Sequence, residues 1–334
     1  MLKVLARTRV LLKPQVILPV LLAIALLAFA FSLGNVHAVI IRVGQLPCHV
    51  LAIALAAAAC YLACKAAQLR LMLIRIDVHI PARPFWLAFA VGELTVTLPL
   101  GMFSQNWVMS ASRRVHIGRS SAATLMMVLA ELAVVFLFLA VVGIPGWREV
   151  RPLSIFVLAA VGLLLLGLLV FGNRARGWAA GLRPAWAQRG ADTALEMLRG
   201  LRKLSTPVML VISIVLAAVY LGALTVAFWA VGHGMEVRHL DYLTATTIYL
   251  FSLGIILVGA GLFSQIGTVE LLGMLAARAW GIDYTDGLAL MLGFRIVWTA
   301  SIWLLCLPIV AAMWREMPAR DRHDSADGRK KVSG

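Results

Sequence analysis

Charged residues are scarce in this sequence. Only 13% of its 334 residues are Asp, Glu, Lys or Arg, whereas about a quarter of the residues of a soluble globular protein are charged. No polar stretch is long enough to build a soluble nucleotide-binding or hydrolase domain, and the phosphate-binding pattern Gly-x-x-x-x-Gly-Lys-Ser/Thr does not occur. These absences exclude a soluble enzyme and an ATP-driven pump, and they place the function in or at a membrane.

Cysteine is rare as well. The chain has four cysteines, Cys48, Cys60, Cys64 and Cys306, and none forms a Cys-x-x-Cys pair. Two of them lie one helical turn apart inside an apolar run, where a thiol is expected to serve packing. None of the seven histidines pairs with a carboxylate at ligand spacing within a span. We therefore expect no metal site and no cofactor.

Acidic residues are half as numerous as basic ones. There are 15 acidic and 30 basic residues, a formal net charge of +15. In a membrane protein this excess indicates topology, because basic residues collect on the cytoplasmic side of the spans, next to anionic lipid headgroups. We expect no nucleic-acid partner, a multi-pass position in a bacterial inner (cytoplasmic) membrane, and both termini in the cytoplasm.

Long apolar runs, in contrast, are abundant. The chain is 62% hydrophobic with a mean hydropathy of +0.94, and a run of about 18 residues or more is long enough to cross roughly 30 Å of hydrocarbon. The sequence therefore predicts an all-α polytopic membrane protein. The eight long apolar segments lie near 15–33, 47–67, 84–103, 122–144, 153–171, 207–232, 242–262 and 286–313, and a shorter one lies near 267–281.

With the N-terminus inside, the loop after the second apolar segment also lies inside, as its basic residues Lys65, Arg70, Arg75 and Arg83 require. The positive-inside rule then tests which of the later segments cross completely. If 84–103 crossed, ten basic residues of the following loops would lie on the outer face. The conflict disappears if 84–103 enters the membrane and returns, which is tolerated where the backbone is buried in protein or lines a cavity. By the same reasoning, 242–262 and 267–281 form either a re-entrant pair or two short crossings. The prediction is about six full spans plus two re-entrant helix pairs.

The domain organisation is correspondingly simple. We expect a single transmembrane domain over residues 1–313 and a disordered, basic cytoplasmic tail over 314–334. Residues 184–204 combine arginine with alanine, leucine and tryptophan at helical spacing, which favours a helix lying in the cytoplasmic interface.

A short motif occurs twice. Gly101-Met-Phe-Ser-Gln105 is repeated 160 residues later as Gly261-Leu-Phe-Ser-Gln265, each time next to one of the anomalous apolar segments. The positive-inside assignment gives opposite directions to the long spans that follow the two copies. This indicates an inverted-topology repeat with halves at about 84–171 and 242–313, and in such folds substrates bind where the broken helices meet.

Four ionisable residues lie within apolar segments: Glu93, Glu131, Glu270 and Arg295. Charges at this depth are costly and often functional. Either they form internal pairs that hold the bundle together, or they meet in a cavity that a charged headgroup enters. Arg295 needs a carboxylate, a lipid phosphate or both beside it, and the repeat would bring Glu270 and Glu131 to it. The polar side chains expected at the tips of the broken segments are Ser104, Gln105, Ser264 and Gln265.

The second half resembles a flippase-like family that includes the transmembrane region of lysylphosphatidylglycerol synthases. That family has Pro-Gly-Gly-x-Gly-x-x-Glu where this sequence has Phe263-Ser-Gln-Ile-Gly267-Thr-Val-Glu270. The glycine and the glutamate match, and the Pro-Gly-Gly does not. Arg295 corresponds to an arginine of the family on the next helix.

The first half shows the same resemblance. Arg113 and Arg114 correspond to the basic cytoplasmic segment of the family, and Glu131 corresponds to the glutamate of the helix after it. Leu132 and Val135 stand in place of the arginine and aspartate that usually follow. The resulting substrate-binding set is Ser104, Gln105, Arg113, Arg114, Glu131, Ser264, Gln265, Gly267, Glu270 and Arg295.

The resemblance implies a protein without enzymatic activity that moves a phospholipid, or a polyprenyl- or glycolipid-type lipid, across the inner membrane. Its partners are then the lipid itself and lipid-biosynthetic enzymes. The alternative is a non-catalytic accessory subunit of a complex that makes glycolipid, hopanoid or cardiolipin. An intramembrane transferase is the third interpretation, and it would need acid, base or metal groups that converge near one membrane face.

The re-entrant assignment can be tested by cysteine labelling in intact cells. In a background without the native cysteines, single cysteines at Ser112 and at Gly190 should be protected from an impermeant thiol reagent, because both positions are expected inside. A cysteine in the loop near Gly234 should be labelled. Labelling of either of the first two positions from outside would contradict the assignment of 84–103.

Overall fold

The structure is a computed structural model that describes residues 36–97, 101–113, 115–171, 185–258 and 265–314. Apart from one isolated β-bridge between Ile144 and Trp147, the regular structure in these ranges is helical. The helices are α1 Val36–Gly44, α2 Cys48–Arg75, α3 Ala82–Thr95, a 3₁₀ turn Gly101–Phe103, α4 Ser104–Arg113, α5 Ile117–Val142, α6 Val150–Phe171, α7 Ala185–Leu204, α8 Pro207–Gly234, α9 Tyr242–Val258, α10 Gln265–Ala279 and α11 Tyr284–Trp314.

Five of the described helices are long and apolar enough to cross a membrane: α2, α5, α6, α8 and α11. They coincide with five of the six predicted full spans. The sixth, 15–33, lies outside the described residues, as does the predicted tail beyond residue 314. The chain therefore has the helices of a multi-pass membrane protein.

Four shorter helices form two hairpins, with α3 packed on α4 and α9 packed on α10. The predicted segment 84–103 is not one helix, because α3 ends at Thr95 and the chain returns through α4. With 14 residues at 1.5 Å per residue, α3 is about 21 Å long, less than the thickness of the hydrocarbon layer. Ser104 of the repeated motif begins the returning helix.

The second helix is longer than predicted. The apolar segment was expected to end near residue 67, with Lys65 at the start of a cytoplasmic loop that also carries Arg70 and Arg75, but α2 continues to Arg75. Residues between Cys64 and Arg75 are nearly all good helix formers, so nothing in the local sequence ends the helix. Lys65 consequently lies within α2, and its side chain is only 12% exposed.

A second sequence motif occurs twice, in α2 and in α8, which precede the two predicted halves. Both helices have 28 residues, and Ala-Ala-x-Tyr-Leu stands at the same position in each, at 58–62 and at 217–221. They pack against each other along their length. The rings of the two equivalent tyrosines, Tyr61 and Tyr220, meet edge to face with centroids 5.4 Å apart.

The two helices run antiparallel. Gly234 at the end of α8 lies against Val50 near the start of α2, and the Gln68 amide donates to the backbone oxygen of Ser213. A two-fold axis perpendicular to two equivalent helices makes them antiparallel, and this is the relation expected between the halves of an inverted repeat.

The packing of the hairpins also makes equivalent contacts in the two halves. The first helix of each hairpin contacts the long helix of the other half: α3 packs on α11, and α9 packs on α5. Likewise, α2 and α8 each contact both α5 and α11. The halves are therefore interlocked, and the space between the hairpins belongs to both.

Helix α7 lies where the amphipathic segment 184–204 was predicted. It packs on α5, and a Cβ on Gly118 would come within 2.2 Å of the Thr193 carbonyl oxygen, so the backbones approach closely. Arg119 donates to Glu196 at 2.8 Å across this contact. Partial burial raises the pKa of Glu196, but hydrogen bonds and charges from Arg119 and Arg199 outweigh burial and hold it below its ordinary value. The ion pair is complete at neutral pH and is lost as the pH falls through that lowered pKa.

The turn of the first hairpin requires glycine at position 101. A Cβ on Gly101 would lie 1.8 Å from the Thr95 carbonyl oxygen, so a Gly101→Ala change must push the two helices of the hairpin apart. We expect a loss of about 1–3 kcal/mol, typical of overpacking, measured as a lower unfolding temperature in detergent. Gly162→Ala on α6 is the control, because its Cβ would meet nothing within 4 Å. Equal stability of the two variants would contradict the tight turn.

Candidate functional site

A cavity of about 580 Å³ lies between the two hairpins and the long helices. Aliphatic and aromatic side chains form most of its wall. Its polar lining residues are Tyr61, Lys65, Glu93, Thr97, Gln105, Thr124, Glu131, Tyr249, Gln265, Arg295 and Thr299. These residues come from α2, the α3–α4 hairpin, α5, α9, α10 and α11, so the cavity contains side chains of both halves.

One wall carries an ammonium group between two carboxylates. The Lys65 Nζ atom lies 3.1 Å from Glu93 Oε1 and 3.9 Å from Glu131 Oε1. All three side chains are largely buried, with 12%, 6% and 12% exposed for Lys65, Glu93 and Glu131. The cluster joins α2, α3 and α5, and it is defined here as the Lys65 cluster.

Two tyrosines complete the Lys65 cluster. Lys65 donates to the Tyr61 hydroxyl at 2.6 Å, and Tyr220 donates to Glu131 Oε1 at 2.8 Å. Both rings are buried, and Tyr61 also meets Trp298 of α11 edge to face at 5.3 Å. Because these are the equivalent tyrosines of α2 and α8, the cluster sits at mid-length of the central antiparallel helix pair.

The opposite wall carries Arg295. Its Nε atom donates to Glu270 Oε1 at 2.6 Å, and its Nη2 atom donates to the Gln265 carbonyl oxygen at 3.3 Å. The second oxygen of Glu270 accepts the Gly267 backbone N–H at 2.7 Å. Gly267 has φ of +86°, a conformation that favours glycine, and a glutamate three residues later that accepts this N–H is the arrangement of a capping box. The backbone of α10 is kinked at Ile266 and Gly267. Glu270 thus caps the part of α10 that follows the kink, and it also holds Arg295 in position.

Gln105 and the start of α4 are held by uncharged hydrogen bonds. Ser104 lies 2.6 Å from the Thr95 hydroxyl across the hairpin turn. Gln105 and Asn106 both donate to Thr124 Oγ1 of α5, at 3.0 and 2.9 Å. The hairpin tip is therefore fixed to α5 at the edge of the cavity.

The structure brings together part of the predicted residue set. Gln105, Glu131, Gln265 and Arg295 line the one cavity. Glu270, 1% exposed, lies behind Arg295 together with Gly267, and Ser104 is engaged at the turn. Arg114 and Ser264 lie outside the described residues, and so does the side chain of Arg113.

One predicted pairing is wrong. Glu270 and Glu131 were both expected beside Arg295. The structure places Glu270 there, whereas Glu131 pairs with Lys65 and Tyr220. Lys65 was assigned to a loop because it stands near the end of the apolar run. The repeated Ala-Ala-x-Tyr-Leu motif was a signal available in the sequence, since it marks the centre of α2 and hence the buried position of Lys65 one turn further on.

The cavity reaches the outer surface of the bundle. Ile296 and Trp303 of α11 line it, yet they are 52% and 50% exposed. The exposed face of a candidate membrane span is its apolar, lipid-facing side. The polar interior is therefore continuous with an apolar opening beside α11.

Comparisons with protein-family models and with curated proteins found no match for this chain. The resemblance to the flippase-like family therefore rests on the motifs described above, and it stays a prediction.

The Lys65 cluster predicts an asymmetric effect of charge removal. Lys65→Met leaves two buried carboxylates without their cation, and we expect a loss of about 3–5 kcal/mol, typical of a broken buried pair. Lys65→Met combined with Glu93→Gln should restore much of this loss, because one buried charge is removed with the other. Thermal unfolding in detergent measures both variants.

Lys203→Met is the control for this pair of variants. Lys203 pairs with Asp77 at an exposed position, so its loss should change the unfolding temperature little. A Lys65→Met protein as stable as the Lys203→Met protein would show that Lys65 does not hold the cluster together.

Proposed function

We propose that the protein moves a phospholipid, or a polyprenyl- or glycolipid-type lipid, from one leaflet of the membrane to the other. The observation that carries this proposal is a cavity that charged groups of both halves line and that opens through an apolar gap beside α11. A membrane lipid has a polar headgroup and apolar chains. The cavity has charged side chains for the headgroup and an apolar opening for the chains.

The headgroup end of the lipid fits the Arg295 side of the cavity. A guanidinium binds phosphate through paired N–H donors, and Arg295 is 22% exposed even with Glu270 bound. Its position is fixed by Glu270 and by the Gln265 carbonyl, so the cation is preorganised. The acyl or prenyl chains would leave through the opening formed by Ile296 and Trp303.

The arrangement of the halves supports movement between leaflets. In inverted-repeat transporters, broken helices meet at a central site, and rocking of the halves exposes the site to each side in turn. Here the α3–α4 and α9–α10 hairpins take the place of the broken helices as re-entrant pairs. We place the protein in the inner membrane with both termini in the cytoplasm, on the positive-inside distribution of its basic residues.

The identity of lipid bound after purification tests the proposal against the accessory-subunit alternative. Mass spectrometry of protein extracted in mild detergent should find one lipid class enriched at a fixed ratio to protein. A bulk mixture with the composition of the membrane would favour the accessory role in glycolipid, hopanoid or cardiolipin synthesis.

Arg295 and Glu270 give the sharpest functional variants. In Arg295→Met combined with Glu270→Gln, the buried pair becomes neutral and glutamine still accepts the Gly267 N–H, so the fold should be stable. Lipid movement should nevertheless fall by tenfold or more, because the phosphate loses its guanidinium partner. The measurement is translocation of an acyl-labelled fluorescent phospholipid in vesicles of phosphatidylethanolamine and phosphatidylglycerol, next to thermal unfolding.

Arg278→Met is the matched control for these variants. Arg278 lies at the exposed end of α10 over the ring of Tyr284, outside the cavity lining, so its loss should leave lipid movement unchanged. If the double variant recovers both stability and lipid movement, Arg295 serves structure alone and the headgroup site is refuted.

A further inference from the structure

Carboxylates outnumber cations in the described part of the cavity wall. The cations are Lys65 and Arg295. The carboxylates, within the lining or directly behind it, are Glu93, Glu131 and Glu270. Arg295 and Glu270 neutralise each other at 2.6 Å. The unbalanced negative charge therefore belongs to the Lys65 cluster, where two carboxylates share one ammonium group.

The other helices packed around the Lys65 cluster do not supply the missing positive charge. The α4 helix contributes the neutral Gln105. The titratable and charged groups that the remaining described helices turn toward the cluster are Tyr61 on α2, Tyr220 on α8, Tyr249 on α9, Glu270 on α10, and Arg295 and Cys306 on α11. Tyrosine and thiol groups are neutral, and the arginine already faces its own carboxylate.

An unbalanced carboxylate at this depth is costly, because little water solvates it and no cation of the described residues compensates it. Paired carboxylates in other proteins resolve the same conflict by holding one proton between them. The cavity gives water a route to the cluster, since all three of its charged side chains line the wall. A proton therefore fits this site, because it neutralises one excess negative charge and can reach the carboxylates through water in the cavity.

We propose that the Lys65 cluster binds one exchangeable proton, held on Glu131, and that this proton is the ion coupled to lipid movement. The coupling rests on the proposed function, whereas the proton site does not. In the binding step a hydronium ion in the cavity gives its proton to a carboxylate oxygen of Glu131 and leaves as water. The proton is assigned to Glu131 because Lys65 lies farther from it than from Glu93, at 3.9 Å against 3.1 Å.

The position of the two carboxylates gives the proton a mechanical effect. Glu93 belongs to the α3–α4 hairpin and Glu131 to the long helix α5. With Glu131 protonated, Lys65 pairs with Glu93 alone. With Glu131 ionised, Lys65 is shared and draws the hairpin toward α5, so loss of the proton tightens one wall of the cavity.

Infrared spectroscopy of the full chain in detergent tests the proton site without any transport. At neutral pH the wild type should show a protonated carboxylic acid band that shifts in heavy water. Glu131→Gln should lose this band. Glu93→Gln should lose it as well, because the one remaining carboxylate then pairs with Lys65 and ionises. Glu149→Gln, at an exposed carboxylate outside the cavity, should retain it. A wild type without the band, or a Glu93→Gln variant that keeps it, overturns the shared-proton site.

The coupling is tested with the same fluorescent phospholipid and vesicles. A pH gradient should accelerate lipid movement severalfold in the wild type and in Glu149→Gln, and it should have no effect in Glu131→Gln. Movement that ignores the gradient in the wild type, or that follows a sodium gradient instead, overturns the coupling. A wild type that moves no lipid refutes the proposed function and the coupling together, and the infrared result still decides the proton site.

Discussion

The shared ammonium group of Lys65 is the interaction on which the site depends. It lies between Glu93 and Glu131 and thereby ties together the three helices α2, α3 and α5. Buried charges are tolerated when they are paired and hydrogen bonded, and Tyr61 and Tyr220 provide the additional hydrogen bonds here. The same contacts place the three charges in the wall of a cavity instead of a dry core, so one constraint sets both the packing of α3 against the bundle and the polarity of the interior.

The interlocked packing of the two halves explains why a cavity exists. Each hairpin rests against the long helix of the other half, and both hairpins line the cavity together with α5 and α11. The central contact of α2 with α8, with equivalent tyrosines meeting at mid-length, keeps the halves in register. A fold built this way has a central helix pair, α2 and α8, and two hairpins that line the cavity.

Although the scaffold is repeated, the charges are not. Lys65 on α2 has Leu224 as its counterpart on α8 in the aligned helices, and the Arg295–Glu270 pair belongs to the second half alone among the described residues. The first half therefore carries a site with excess negative charge, and the second half carries a preorganised guanidinium. This division gives one cavity two chemically distinct walls, one suited to a proton and the other to a phosphate.

The sequence by itself determined the membrane class, the long apolar helices, the interruption near residue 103 and the proximity of Glu270 to Arg295. These features are local, or they follow from solvation, because in hydrocarbon every backbone polar group needs a hydrogen-bond partner within the protein. Only the tertiary structure decided that the partners of Lys65 are Glu93 and Glu131. A lysine near the end of an apolar run reads as the start of a loop, and its burial depends on two carboxylates supplied by other helices. No local pattern records such partners, since the free energy that makes the position tolerable arises only when the three helices meet.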